Sequence, residues 1–110
     1  MKQSNLHLRE NPTLADYQKY VSDMILERGF KDESISELLM LMMEECGELA
    51  RACRKYTSAK SDVNRQEKDN LEHELADIFM YTLAIANKFD LDLEKAFRSK
   101  EEINKLRNWA

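Results

Sequence analysis

Five carboxylates in two short clusters carry the chemistry open to this sequence. They are Glu44, Glu45 and Glu48 in Glu44-Glu45-Cys46-Gly47-Glu48, and Glu74 and Asp77 in Glu74-Leu75-Ala76-Asp77. Each cluster holds a pair three residues apart, Glu45 with Glu48 and Glu74 with Asp77. At 3.6 residues per turn, such a pair projects from one side of a helix. Two such pairs on adjacent antiparallel helices would form a pocket of four carboxylates. Unpaired carboxylates repel one another and resist burial, so a divalent cation is what makes such a pocket tolerable. An all-oxygen set without Cys or His suits Mg²⁺, with Mn²⁺ as a substitute.

The competing description is a set of solvated helix carboxylates, and Glu44 fits either one. Glu45 fits it poorly. Positions 38, 42, 45, 49 and 52 repeat at helical spacing and are otherwise Leu38, Met42, Leu49 and Ala52. A carboxylate where a core side chain belongs breaks the binary pattern, and such breaks tend to mark function. Asp77 is likewise set among Leu75, Ala76, Ile78 and Phe79. A di-iron bundle would need Glu-x-x-His pairs. None occurs, and His73 directly precedes Glu74 and so points to another side of the helix.

A second constellation is basic. Lys100, Asn104 and Arg107 are spaced i, i+4, i+7 and so share one helix face. Two cations and an amide on one face suit phosphate oxygens, although a basic helix end also occurs for the sake of the helix dipole alone. Arg51, Arg54 and Lys55 follow the first acidic cluster. They too could reach a phosphate, and rank below the C-terminal group.

The elements that position these residues are helices. Only two Gly and one Pro interrupt the chain, and Ala, Leu, Glu, Lys, Met and Arg favour helix throughout. The first helix is expected over 14–28, capped by Thr13, with an apolar stripe of Leu14, Tyr17, Val21, Met24 and Ile25, and stopped by Gly29. The second is expected over 35–56, with Ser34 and Glu37 at capping-box spacing and a stripe of Leu38, Leu41, Met42, Leu49 and Ala52. Residues 57–64 are small and polar and read as a loop. The third helix is expected over 65–88, with Asn64 and Glu67 at capping spacing. The fourth is expected over 93–108, capped by Asp90 or Asp92. The fold class is therefore all-α, four helices with short loops. The stretch Ile78-Phe79-Met80-Tyr81-Thr82-Leu83-Ala84-Ile85-Ala86 is apolar on nearly every side. In a lone four-helix domain one side would face water, so burial against another subunit is expected.

Composition bounds the rest. A chain of 110 residues makes one domain: residues 1–12 form a polar arm and 13–110 the domain. The net charge of −4, from 17 basic and 21 acidic residues, and the absence of a long basic run argue against duplex nucleic acid as a partner. No apolar stretch is long enough to span a membrane. Met1-Lys2-Gln3-Ser4-Asn5 lacks the apolar core of a signal peptide. Cys46 and Cys53, two turns apart on one helix, stand about 10 Å from each other, too far for a disulfide within it. They read as reduced, semi-buried thiols of a cytoplasmic protein.

Glu44-Glu45-x-x-Glu48, then 25 residues, then Glu74-x-x-Asp77 resembles the signature of the MazG-like all-α nucleoside triphosphate pyrophosphohydrolases. These are related to the dimeric dUTPases and the phosphoribosyl-ATP pyrophosphohydrolases. Glu27-Arg28-Gly29-Phe30, Glu48-Leu49-Ala50, Glu74-Leu75-Ala76-Asp77-Ile78 and Asp92-Leu93-Glu94-Lys95-Ala96-Phe97 are similar to family phrases, as are Lys100 and Asn104-x-x-Arg107. The resemblance covers about residues 14–108. It implies that a nucleoside triphosphate, a deoxynucleoside triphosphate in particular, is cut between its α and β phosphates as nucleotide-pool housekeeping. It implies metal ligation by Glu45, Glu48, Glu74 and Asp77, and catalysis by Glu45 with Glu44, the latter as ligand neighbour or base. Lys100, Asn104 and Arg107 are implied to meet substrate, and Lys55, by its place after the first acidic cluster, is a further substrate-binding candidate. The helices are expected to join a larger bundle across a homodimer or homotetramer interface. A catalytically weak relative that binds nucleotides as a regulator is the alternative. The base is left open: Arg54-Lys55-Tyr56 contains no Trp, Trp109 lies at the far end, and Tyr17, Tyr20 and Tyr56 are the remaining stacking candidates.

Overall fold

The helix-forming composition resolves into α1 (Leu14–Arg28), α2 (Ile35–Ser58), α3 (Ser61–Lys88) and α4 (Leu93–Lys105). The computed structural model describes residues 4–58 and 61–108, with side chains at 58, 61–67 and 69 excepted. No strand occurs among the described residues. Trp109 and the Asn64–Glu67 capping pair lie outside the described residues and side chains.

Local chemistry explains the helix ends. Thr13 Oγ1 accepts from the Asp16 N–H at 3.1 Å, and the Thr13 N–H donates to Asp16 Oδ2 at 2.8 Å, a complete capping box. Arg9 Nε adds an ion pair to the same Asp16 oxygen at 2.6 Å. The Thr13 backbone bond, then the Arg9 bond, hold the Asp16 carboxyl below its usual range. Gly29, at φ 77°, ends α1 in the left-handed conformation that a side chain would strain. Ser34 Oγ accepts from the Glu37 N–H at 3.1 Å at the start of α2. Of the two candidates for α4, Asp92 is the cap, accepting from the Lys95 N–H at 3.1 Å.

Three boundaries differ from expectation. α2 runs on through Ser58 and α3 begins at Ser61, so helix replaces most of the expected 57–64 loop. Thr57 shows how: its hydroxyl donates back to the carbonyls of Cys53 (3.0 Å) and Arg54 (3.1 Å), so a polar residue is satisfied within the helix. α4 stops at Lys105 and not at Asn108. Its end tightens into i→i+3 bonds, Leu106 N–H to Ile103 O and Arg107 N–H to Asn104 O, both 3.1 Å.

The chain divides into two compact units, Met1–Asp32 with Ala86–Ala110, and Glu33–Ile85. In the first, Gln18 on α1 joins the α3–α4 connection. Its amide donates to Asn87 Oδ1 (3.0 Å) and to the Leu91 carbonyl (2.8 Å), and its Oε1 accepts from the Leu93 N–H (3.0 Å). Asn87 returns a bond to the Gln18 carbonyl at 2.8 Å. Val21, Met24 and Ala86 are buried here. The N-terminal arm is tied to α1 where Ser4 Oγ donates to Glu27 Oε2 at 2.8 Å.

The second unit is an α2–α3 hairpin. Leu38 and Ala52 on α2, and Leu83 and Ala84 on α3, are its buried apolar residues. Thr82 Oγ1 lies 3.9 Å from Met42 Sδ, while Glu45 meets Glu74 and Asp77. Rising numbers on α2 thus pair with falling numbers on α3, and the helices are antiparallel. Leu83 is 1% exposed, yet Leu75, Phe79 and Met80 on α3 and Leu39, Met40 and Met43 on α2 remain exposed.

Replacing Thr13 with Ala removes one bond of the capping box and should destabilise the fold by about 1 kcal/mol. Denaturant unfolding measures this, with Thr13→Ser as the control that retains the hydroxyl. An unchanged midpoint for the Ala variant would show that the box does not hold α1.

Candidate metal centre

Unbroken helix carries both acidic clusters, so each carboxylate is aimed by backbone geometry and not by a loop. Glu45 occupies the α2 stripe between half-buried Met42 and Leu49. Glu74 and Asp77 sit one turn apart on α3. Each of these three residues offers one oxygen, and the three oxygens lie within 4.8 Å of one another. All three residues are half-buried.

The electrostatics of this trio are those of a site built for positive charge. The Glu45 carboxyl is held above its ordinary range, first by a hydrogen bond with Glu74, then by burial, then by the Glu74 charge. Glu74 Oε2 is buried with no hydrogen-bond partner among the described residues. Such an atom is costly to leave unsatisfied. A divalent cation would supply its partner and discharge the repulsion, so the residues present fit Mg²⁺ or Mn²⁺. Tyr81, one turn beyond Asp77, responds to the same field. Burial raises its phenol first, followed by the charges of Glu45, Glu33, Asp77 and Glu44. It therefore stays protonated and keeps an O–H to donate.

The structure brings together only part of the expected set. Glu48 is exposed and outside the trio, but with Glu74 it lines a neighbouring cleft of about 250 Å³. Arg51, Ala52, Lys55 and Asn70 complete that cleft. Glu44 is exposed, outside the trio, and sensed at Tyr81. Lys100 (exposed) and Asn104 (half-buried) lie on α4, in the other unit. Arg107 lies past the end of α4, so the expected i, i+4, i+7 helix face breaks at its last member. Tyr17, Tyr20 and Tyr56 are half-buried. Cys46 and Cys53 are free thiols, Cys46 half-buried as expected and Cys53 exposed.

Residues 33–108 match the MazG nucleotide pyrophosphohydrolase domain. The chain belongs to this family. MazG-family membership makes it a nucleoside triphosphate pyrophosphohydrolase, a hydrolase acting on acid anhydrides. It is 30% identical to human dCTP pyrophosphatase 1 over 100 residues, 87% of this chain and 59% of that protein. It is 32% identical to the Gene 37 protein of Mycobacterium phage L5 over 97 residues, 84% of this chain and 83% of that one. The uncharacterized protein YvdC of Bacillus subtilis is 27% identical over 95 residues, covering 81% and 90%. Within this MazG domain, sequence reasoning missed Tyr81 and Asn70 and ranked Arg51 low. The available signal was spacing: Tyr81 follows Asp77 by one turn, Asn70 precedes Glu74 by one turn, and Arg51 follows Glu48 by three residues.

Glu45→Gln tests the centre in two ways. Loss of a ligand should weaken Mn²⁺ binding by roughly tenfold or more, since even indirect disturbance of a metal ligand costs that much. Stability should respond with a definite sign. A carboxyl raised on folding binds more protons folded than unfolded. The stability it contributes is therefore present at pH below the unfolded value and lost as pH rises through the folded one. In chelator, Glu45→Gln should melt above the parent at neutral pH and converge with it in acid. Parallel melting curves across that range would show that the Glu45 charge is not under strain.

Proposed function

We propose that this chain hydrolyses a nucleoside triphosphate, and a deoxynucleoside triphosphate in particular, at the α–β bond, giving monophosphate and pyrophosphate. The observation that carries the reading is the convergence of Glu45, Glu74 and Asp77 within 4.8 Å, inside the stretch that matches the family. These three residues would hold Mg²⁺, or Mn²⁺ in its place, with Glu48 as a further candidate ligand lining the neighbouring cleft that Glu74 shares. When bound, the cation supplies charge neutralisation for the triphosphate and lowers the pKa of the attacking water.

The remaining work falls to side chains. Water forms a bond to the α phosphorus as the bridging oxygen leaves with pyrophosphate, and one proton must go. We assign that proton to Glu44, the exposed neighbour of Glu45 in the first cluster. Tyr81 keeps its proton and can donate a hydrogen bond into the site. Lys55 lines the adjoining cleft, and Lys100, Asn104 and Arg107 supply further donors to phosphate oxygens. The similarity to dCTP pyrophosphatase 1 puts dCTP first among compounds to try.

A homodimer or homotetramer is supported by the exposed Met40 and Met43 of α2 and Leu75 and Phe79 of α3, which a lone chain leaves in water. Among the described residues no helix is long and apolar enough to cross a membrane. A cytoplasmic nucleotide pool is the setting that suits this substrate.

A panel of nucleotides with and without Mg²⁺ tests the reaction by phosphorus NMR. Monophosphate and pyrophosphate are expected, only with metal. Nucleoside diphosphate and orthophosphate would overturn the bond assignment, and binding without turnover would select a regulatory role. Sedimentation should give a mass at least twice the 13.0 kDa of one chain at micromolar concentration. A 13.0 kDa species would remove the assembly.

A further inference from the structure

α2 carries a second stripe that the hairpin does not use. Leu39, Met43, Cys46, Ala50 and Cys53 each follow by one residue a member of the packing stripe, Leu38, Met42, Glu45, Leu49 and Ala52. One residue is about 100° around the helix, so the second stripe has a face of its own. Leu39 and Met43 are 48% and 60% exposed. Ala50 and Cys53 are exposed and Cys46 is half-buried. On α3 the exposed Leu75 and Phe79 follow Glu74 and Ile78 in the same way. The two helices are antiparallel, so equal rotations in one sense bring both stripes to one side of the hairpin.

The stripe has the form of a helix-pairing seam. Its steps alternate four and three residues from 39 to 53, the spacing at which one helix packs along another. Its first half is bulky (Leu39, Met43) and its second half small (Ala50, Cys53). Gly47 borders it. Gly inside a helix costs stability relative to Ala. Outside its own stretch of helix, nothing among the described residues lies within 4 Å of where a Gly47 Cβ would stand. Close approach by a second backbone is what a glycine at this place allows.

Charge identifies the neighbour. The charged residues of α2 up to position 48 are all acidic, Glu37, Glu44, Glu45 and Glu48, and those after it are all basic, Arg51, Arg54 and Lys55. The helix dipole favours that order in the terminal turns only, and Glu44 through Arg51 lie in the middle. A helix so divided is complementary to itself run backwards. An antiparallel copy lays acid on base and bulky on small, whereas a parallel copy lays like on like.

We propose that this stripe seats a second copy of the chain, α2 lying antiparallel on α2 about a two-fold axis beside Gly47, with Glu44 of each copy level with Arg51 of the other. This rests on the assembly reading above and gives that assembly its contact and its sense. In this register Met43 meets Cys53 of the second copy, and Cys46 meets its Ala50. The contact is self-complementary, as a two-fold interface must be.

Sedimentation equilibrium tests the pairing, with circular dichroism as the control for folding. Gly47→Leu should weaken self-association roughly tenfold or more by blocking the approach. Its helix content should hold, because Leu is the better helix former. Glu44→Arg and Arg51→Glu should each weaken association roughly fivefold by opposing like charges, and the two together should recover the parent value. A double variant no tighter than the single ones overturns the antiparallel register. An assembled parent whose mass withstands Gly47→Leu and both charge variants overturns this contact and leaves assembly through another face. A parent of 13.0 kDa overturns the pairing and the assembly reading together, and leaves the stripe to a different protein.

Discussion

Mutual repulsion among Glu45, Glu74 and Asp77 is the constraint around which the α2–α3 hairpin is organised. Three carboxyl oxygens within 4.8 Å cannot all be ionised cheaply in a half-buried setting. The hairpin nevertheless holds them there, because the same two helices also carry the apolar residues that pack the unit. Leu38 and Ala52 on α2, and Leu83 and Ala84 on α3, are buried, and Met42 meets Thr82 one turn from the trio. Packing thus fixes the positions of charges that would otherwise separate. The hydrogen bond between Glu45 and Glu74, which with burial holds the Glu45 carboxyl above its ordinary range, answers part of the cost, and the orphaned Glu74 oxygen shows that part of it persists.

The sequence made some of this legible through conflict between neighbouring signals. Glu45 was visible because an apolar stripe ran through it, and the three-residue spacing identified Glu48 and Asp77 as partners on a face. Caps were equally legible at Thr13, Ser34 and Asp92, where short polar side chains sit ahead of periodic helix. Periodicity names the face of a helix but not the level at which a neighbour meets it. The groove pairing of Arg51 and Lys55 with Asn70 depends on that level, so Asn70 went unnoticed and Arg51 ranked low. Tyr81 was hidden for a related reason. It sat in an apolar run, and its place in the field of four carboxylates depends on three-dimensional proximity. Helix ends were misjudged where Ser, Thr and Asn read as loop but stayed helical, and where α4 tightened before Arg107.

The first unit solves a different problem, that of joining α3 to α4 across a short connection. Asp90 takes a positive φ of 54°, a conformation a carboxylate-bearing residue tolerates better than most. Gln18 then engages Asn87, Leu91 and Leu93 with both its donors and its acceptor. A single amide so committed fixes the connection more firmly than three separate contacts, because its loss would leave several polar groups unpaired at once.

Because α2 runs unbroken through Glu44–Glu48 and α3 through Glu74–Asp77, the centre is sensitive to changes in chain length in a way that it is not to changes in side chain. One residue inserted or deleted within either cluster turns everything beyond it by about 100° around the helix axis. A ligand so displaced would point away from its partner while the helix itself survived. As far as the centre alone constrains them, lineages descending from such a chain are free to exchange the residues between the carboxylates, Cys46 and Gly47 or Leu75 and Ala76, but are held to the count that separates them.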